Sequence, residues 1–262
     1  MSTILEKIAE STRIRVEKAK LEVPLEKLKS QALEMNCKTC FPFEKALKKK
    51  GLSFICECKK ASPSKGIIAE SFPYREIAKE YEAAGADAIS VLTEPEWFLG
   101  KNEYLKEISA DVKIPCLRKD FTIDEYMLYE AKLLGASAVL LICSLLDEKA
   151  IAGYISICNV LGLSALVEAH NEFEIAMAVN ARARIIGVNN RNLSDFSVDI
   201  ENSQKLRSLV PNDILFVAES GIHSQKEVQL LREAGVDAVL IGEALMREKN
   251  KKEALERLRG ER

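Results

Sequence analysis

One phrase returns three times along the chain, and it restricts the fold more than any other feature. It reads Ala84-Gly85-Ala86-Asp87-Ala88-Ile89-Ser90-Val91-Leu92, then Leu134-Gly135-Ala136-Ser137-Ala138-Val139-Leu140-Leu141-Ile142, then Ala234-Gly235-Val236-Asp237-Ala238-Val239-Leu240-Ile241-Gly242. A glycine after a helical stretch suits the left-handed residue that closes helices. The nearly unbroken apolar run behind it suits a parallel strand buried on both faces.

Five further β-rich runs, Ser53 to Cys58, Lys113 to Arg118, Ser164 to Val167, Arg184 to Val188 and Ile214 to Ala218, bring the strands to eight. Helical periodicity fills the gaps at Tyr74 to Ala84, Ile123 to Leu134, Asp147 to Leu161, Glu172 to Asn180 and Ser224 to Ala234. Alternating strands and helices predict an α/β fold with a parallel sheet. Eight such units in 262 residues predict a closed (β/α)8 TIM barrel. The reading is one barrel domain over residues 1–262. Residues 1–50 form a helical extension, with helices at Ile4 to Lys20 and Leu25 to Glu34 and a lead-in from Phe41 to Lys50, placed to cover the barrel or overhang its mouth. Arg247 to Arg259 reads as the last outer helix, and no linker divides the chain.

The 38 basic and 40 acidic residues are well mixed and leave a net charge of −2, too weak a field to gather nucleic acid or an anionic membrane. The opening Met1-Ser2-Thr3-Ile4-Leu5-Glu6 has no apolar signal core, and no apolar run reaches the roughly 20 residues of a membrane helix, so a cytoplasmic enzyme is expected. Seven scattered cysteines fit reduced thiols. Cys37-Lys38-Thr39-Cys40 is a lone CxxC without further ligands at metal spacing, since His170 and His223 stand apart from it, and no metal site is expected. Cys56, Cys116, Cys143 and Cys158 read as small core residues.

Polar residues gather where the strands end. Strand one ends Glu57-Cys58-Lys59, and residues two apart on a strand face the same way, so both charges point into the barrel mouth. Lys119, Glu168, Asn189 and Glu219 close strands three, five, six and seven. A single polar strand end is ordinary, but five together predict an acid–base site with mutually perturbed pKa values. Strands seven and eight run into Glu219-Ser220-Gly221-Ile222 and Ile241-Gly242-Glu243-Ala244. Paired glycine loops at those positions predict a phosphate site, because glycine lets backbone N–H groups approach an anion. After strand one, the turn-rich Lys60-Ala61-Ser62-Pro63-Ser64-Lys65-Gly66, reaching about Pro73, reads as a lid carrying Lys59 and Ser62.

Glu57-Cys58-Lys59-Lys60-Ala61-Ser62-Pro63-Ser64, Leu117-Arg118-Lys119-Asp120-Phe121, Leu166-Val167-Glu168, Gly187-Val188-Asn189-Asn190-Arg191-Asn192-Leu193, Ala218-Glu219-Ser220-Gly221-Ile222 and Leu240-Ile241-Gly242-Glu243-Ala244-Leu245-Met246-Arg247 run in order through nearly the whole chain. Together they closely resemble the indole-3-glycerol phosphate synthase family of tryptophan biosynthesis. The resemblance implies the substrate 1-(2-carboxyphenylamino)-1-deoxyribulose 5-phosphate, closed to an indole with loss of carbon dioxide and water, and no cofactor. It implies a catalytic set of Glu57, Lys59, Lys119, Glu168, Asn189, Glu219 and Ser220. Lys119 is then the proton donor in ring closure, and Glu168, with Glu57 and Lys59 nearby, serves the dehydration. Asn189 and Glu219 orient the substrate, while Lys59, Ser220, Gly221, Gly242 and Glu243 hold its phosphate. Phe98, Phe121, Leu140, Leu193 and Ile241 surround the anthranilate ring. Arg191 and Ser62 lie beside its carboxylate or on the polar rim.

Two positions depart from the family pattern. Ala61 stands where some relatives carry a basic residue. Glu243 stands where others carry serine, so its share in phosphate binding is expected from backbone N–H. The expected partner is a phosphorylated small molecule, with no nucleic acid and no membrane, for a monomer that associates with other tryptophan-pathway enzymes. The rival readings are a sister barrel such as phosphoribosylanthranilate isomerase, disfavoured by the Glu57, Lys59, Lys119 and Glu168 quartet, and an inactive barrel. A nucleotide-binding module is disfavoured because no GxGxxG or GxxxxGK[ST] follows a strand.

Overall fold

A computed structural model describes residues 3–192 and 196–260. Eight parallel strands form the barrel: β1 (Ser53–Cys58), β2 (Ala88–Leu92), β3 (Cys116–Lys119), β4 (Ala138–Ile142), β5 (Ser164–Ala169), β6 (Ile185–Asn189), β7 (Leu215–Glu219) and β8 (Ala238–Ile241). Each strand pairs with its sequence neighbours. The ring closes where β1 pairs with β8, from Ser53 opposite Ala238 to Cys56 opposite Ile241. β3 starts at Cys116 rather than Lys113, because Pro115 has no N–H to give to a ladder.

The recurrent phrase performs two tasks. Gly85, Gly135 and Gly235 sit at φ of +82°, +83° and +78°, turning the chain out of a helix and into a strand. The aspartates behind two of them tie neighbouring strands together. Asp87 Oδ2 accepts the Phe54 N–H of β1 at 2.8 Å, and Asp237 Oδ2 accepts the Phe216 N–H of β7 at 2.8 Å.

Three helices precede the barrel: α1 (Ile4–Glu22), α2 (Leu25–Glu34) and α3 (Pro42–Leu47). α1 starts in a capping box, with the Thr3 side chain on the Glu6 N–H and the Glu6 carboxylate on the Thr3 N–H. It is anchored beside the mouth by a two-pronged bond from Arg15 to Asp120 (2.7 and 3.0 Å) and by Lys20 on Asp124 at 2.7 Å. α3 belongs to the other end. Phe43 and Leu47 are buried in the cluster that fills the barrel interior, and Glu44 accepts from Ser164 of β5 and from Arg184.

The helices Tyr74–Ala83, Glu148–Leu161, Glu172–Asn180 and Gln225–Glu233 lie where periodicity places them. Asp147, Asn171 and Ser224 bond N–H groups of the first turns of the last three. Tyr126–Leu133, inside the expected Ile123 to Leu134, together with Asn102–Asp111 and Glu201–Arg207 completes the described helices between strands; like Tyr74–Ala83, these three have no side-chain cap. The final helix begins only at Lys251, after the four-residue helix Glu243–Met246. Lys251 itself is buried and donates from Nζ to the carbonyls of Leu245, Met246 and Glu248, closing that short helix. Among the described residues, no helix is long and apolar enough to cross a membrane, and no three His, Cys, Asp or Glu side chains group to hold a metal.

Asp237→Ala strands a buried strand N–H, a change worth about 1–3 kcal/mol. Urea unfolding is expected to register a loss of that size, with an unchanged slope.

Candidate active site

The carboxyl ends of the strands open into a pocket of about 1110 Å³, mouth included. Glu57, Lys59, Lys119, Glu168, Asn189 and Glu219 project into it, together with Ser62, Phe98, Phe121, Leu140, Arg191, Ile241, Ser220, Gly221, Gly242 and Glu243. The structure thus brings together every site residue expected from the sequence except Leu193, which lies outside the described residues.

Lys119 stands at the centre. Its Nζ lies 3.2 Å from Glu168 Oε2 and 3.2 Å from Glu219 Oε2. Burial works against the ammonium charge, but Glu219, Glu168 and Glu57 outweigh it, and the Lys119 pKa moves up. Lys119 is therefore an ammonium at any physiological pH. On the neighbouring wall, Glu57 Oε1 lies 2.7 Å from Lys59 Nζ and Glu57 Oε2 accepts from Ser90 at 3.2 Å.

The three buried carboxyls do not share one charge state. Burial raises each, yet Glu57 ends below its ordinary value because Lys59 and Lys119 face it. Glu168 is likewise held down, by Lys119, by His170 and by the Asn189 amide, which donates to Oε1 at 3.3 Å. Glu219 goes the other way. Burial, with the charges of Glu168 and Glu57 added, overcomes the pull of Lys119 and pushes it up to about 7. Its Oε1 is buried with no hydrogen-bond partner among the described residues, over Gly187, where a Cβ would strike it. The site holds an ammonium, two carboxylates and one carboxyl able to keep its proton near neutrality.

One side of the pocket is apolar. Phe98 and Phe121 tilt against each other at 5.9 Å between ring centres, with Leu140 and Ile241 close by. Phe98 is placed by the buried Glu94, whose Oε2 accepts the N–H groups of Trp97 (2.8 Å) and Phe98 (3.0 Å). α1 contributes Ile4, Leu5 and Ile8, so the N-terminal extension is a wall of the pocket. An apolar 4, 5, 8 spacing at the start of α1 marked that face, but it does not reveal what the face covers.

The opposite side is loop backbone. Ser220 and Gly221 follow β7 with φ of +66° and +77°. Ser220 is not glycine, and it is held in that conformation partly by Asn190, which donates to its carbonyl at 3.1 Å. At Gly242 a Cβ would collide with Glu57 Oε1 and come within 2.9 Å of Lys59 Nζ, so a larger residue there would have to displace the Glu57–Lys59 pair. Glu243 turns its carboxylate to Arg247 (3.2 Å) and Lys65 (3.9 Å), which leaves the loop free of an uncompensated negative charge. The segment after β1 is a short antiparallel hairpin, Ala61–Ser62 against Gly66–Ile67, with Ala61 buried and Ser62 facing the pocket.

Residues around the motif lysine have structural duties that sequence alone did not assign. Arg118 is fully buried and points into the helix layer, donating to the Met127 carbonyl at 2.9 Å and to Asn102 at 3.0 Å. Asp120 binds Arg15 and accepts from Thr93 at 2.6 Å, fixing the chain on both sides of Lys119.

A closed eight-stranded parallel barrel with a lysine–carboxylate cluster at its carboxyl end, apolar on one side and glycine-looped on the other, defines a (β/α)8-barrel enzyme of acid–base chemistry. Among solved structures, 3-hexulose-6-phosphate synthase aligns with a TM-score of 0.65 at 14% identity, covering 80% of this chain and 99% of that one. Thiamine phosphate pyrophosphorylase from Pyrococcus furiosus aligns at 0.61 and 19% identity, covering 82% and 96%. These likenesses establish the fold. The indole-3-glycerol phosphate synthase family model matches residues 5–258. Indole-3-glycerol phosphate synthase of Ruminiclostridium cellulolyticum is 59% identical over 257 residues, covering 98% of this chain and 99% of the relative. That of Endomicrobium trichonymphae is 55% identical over 256 residues, with 98% and 99% covered. The chain belongs to the indole-3-glycerol phosphate synthase family, carboxy-lyases of tryptophan biosynthesis.

Lys119→Met removes the charge that lowers both Glu168 and Glu219. Carboxyl carbon NMR is expected to record both titrations moving to higher pH in that variant, with Glu57 following in the same direction.

Proposed function

We propose that the chain closes 1-(2-carboxyphenylamino)-1-deoxyribulose 5-phosphate to indole-3-glycerol phosphate through the Lys119, Glu168 and Glu219 cluster. The observation that carries the assignment is the Lys119 ammonium held at 3.2 Å by each carboxyl, between an apolar wall and the glycine loops. Phe98, Phe121, Leu140 and Ile241 receive the aromatic ring, and Arg191 with Ser62 lies towards its carboxylate. Lys59 and the backbone at Ser220, Gly221, Gly242 and Glu243 receive the phosphate. This span stretches the substrate across the mouth and brings the ribulosyl carbonyl to Lys119.

Lys119 polarises the carbonyl and gives its oxygen a proton as the ring carbon attacks. Carbon dioxide leaves and the ring regains aromaticity. The new hydroxyl then needs a proton to depart as water, and the carbon beside nitrogen must lose one. Glu219, the carboxyl pushed up to about 7, suits the first of these transfers. Glu168, held below its ordinary range, suits the second, with Asn189 fixing its orientation. Glu57 keeps Lys59 in place beside Gly242 and adds to the field that keeps Lys119 charged. Two protons are delivered and one is recovered, while the departing carboxylate becomes neutral carbon dioxide. Each turnover therefore draws one proton from solvent.

Residues 1–262 act as one unit in this reading, since α1 supplies pocket wall. We infer a monomer working in the cytoplasm beside the other enzymes of tryptophan synthesis.

Purified protein given the anilino-ribulose phosphate is expected to generate indole fluorescence without added metal; no product above background contradicts the proposal. Lys119→Ala is expected to lower kcat by about a hundredfold or more, the usual effect of losing a general acid.

A further inference from the structure

The proton drawn in each turnover has to reach the buried cluster of Lys119, Glu168 and Glu219, and among the described residues one further side chain able to carry a proton touches it. His170, two residues beyond Glu168, places Nε2 3.4 Å from Glu168 Oε1. That nitrogen is buried and makes no hydrogen bond among the described residues. The other nitrogen, Nδ1, is 3.1 Å from Glu174 Oε2. Glu174 is fixed in turn by the His170 N–H at 2.7 Å and by Ser144 Oγ at 2.9 Å.

His170 also lines a second, solvent-open cavity of about 1070 Å³, mouth included, beside the first. Ser144, Asn171, Asn190, Asp199 and Asn202 bring polar groups to its walls, and Asn189 and Arg191 face both cavities. A space of this size with so many polar partners is suited to hold water. His170 therefore stands in the partition between solvent-filled space and Glu168.

We propose that His170 is the proton inlet of the site, a positioning residue that acts through Glu168 and is recharged from the second cavity. This rests on the reaction assigned above, because only that reaction consumes a proton. The inlet requires His170 to rest as an imidazolium between Glu174 and Glu168, the two carboxylates its ring nitrogens face. By the end of a turnover Lys119 and Glu219 have each given a proton and Glu168 has taken one, so the cluster is one proton short. Glu168 first passes its proton to Lys119; the Nε2 proton of His170 then moves to Glu168, and Lys119, in contact with both carboxyls, carries the proton on to Glu219. The neutral imidazole then turns its vacant Nε2 from Glu168 towards the second cavity, which the residue also lines, takes a proton from water there and swings back.

The surroundings favour this resting charge. Burial alone would lower the His170 pKa, but the Glu174 bond and the charges of Glu168, Glu174 and Glu219 raise it above the ordinary value. The other titratable groups nearby are Lys119 across Glu168, Cys143, which donates to the Glu174 carbonyl at 3.6 Å, and Asp199 and Arg191 on the second cavity. The Cys143 thiol is pushed up to about 12 and stays neutral. A raised histidine pKa means the proton-bearing form is present at lower pH and is lost as pH rises through it, so turnover should fall on the alkaline side.

The test begins with wild-type turnover, whose absence would defeat the assigned reaction rather than this inlet. With turnover established, kcat and KM are measured against pH for the wild type, His170→Asn and His170→Ala, the last with and without imidazole. The inlet predicts a kcat loss of about tenfold or more in both variants with KM within about twofold, an alkaline limb that shifts because only the Glu219 titration near 7 remains in it, and recovery of His170→Ala by imidazole in proportion to its charged fraction. Unchanged kcat and limb, or a correctly folded His170→Ala that imidazole does not accelerate, overturns it. Ring NMR of the wild type gives an answer that needs no variant of His170 to fold. The chain has only two histidines, so His223→Asn assigns the signals. A His170 ring that titrates at the pH of the alkaline limb supports the inlet, and a ring neutral throughout pH 6–8 contradicts it.

Discussion

The contact on which the site depends is one ammonium shared by two buried carboxyls. Lys119 alone among the central groups touches both Glu168 and Glu219 and lowers both; their opposite charge states come from what else surrounds each. Glu168 has additional support from His170 and Asn189 and settles low; Glu219 has a bare oxygen and two acidic neighbours and settles high. A base and an acid are thus made from the same residue type a few ångströms apart, by environment alone.

Much of the remaining architecture keeps that lysine in place. The strand carrying it ends in Asp120, which Thr93 and Arg15 secure, and Arg118 is locked into the helix layer on the other side. Through Arg15 the same aspartate pins α1, so the residue after the central lysine also holds the helix that roofs the pocket. Aspartates of the repeated phrase maintain the strand register at the opposite end of the barrel. Electrostatic precision at the mouth therefore rests on a frame of buried ionic and backbone bonds rather than on apolar packing alone.

The barrel was legible in the sequence because its evidence is local: a glycine turn followed by a doubly buried strand, repeated, needs no knowledge of distant residues. The pocket residues were legible for a related reason, since polar groups at strand ends converge in a barrel whatever their chemistry. Less visible were features set by tertiary contact. Asn102–Asp111 is less clearly amphipathic than the equally uncapped Tyr74–Ala83, Glu201–Arg207 is only seven residues long, and both pack on the sheet. Arg118 and Lys119 are adjacent and both basic, yet alternation along the strand sends one into the helix layer and the other into the pocket. His170 looked isolated in sequence because Glu174 and Ser144, which hold it, lie on a following helix and on a different loop. The opposite pKa shifts of Glu168 and Glu219 had no sequence signal, because both are glutamates ending strands.

The central claim is that Lys119 addresses the ribulosyl carbonyl. A crystal structure with the substrate analogue in which that carbonyl is reduced to an alcohol tests it most directly. The account predicts Lys119 Nζ within hydrogen-bond reach of the alcohol oxygen, about 2.7–3.2 Å, with the aromatic ring against Phe98 and Phe121 and the phosphate on the glycine loops. An analogue whose alcohol oxygen is bound by Lys59 instead, with Lys119 turned away from it, would contradict the account.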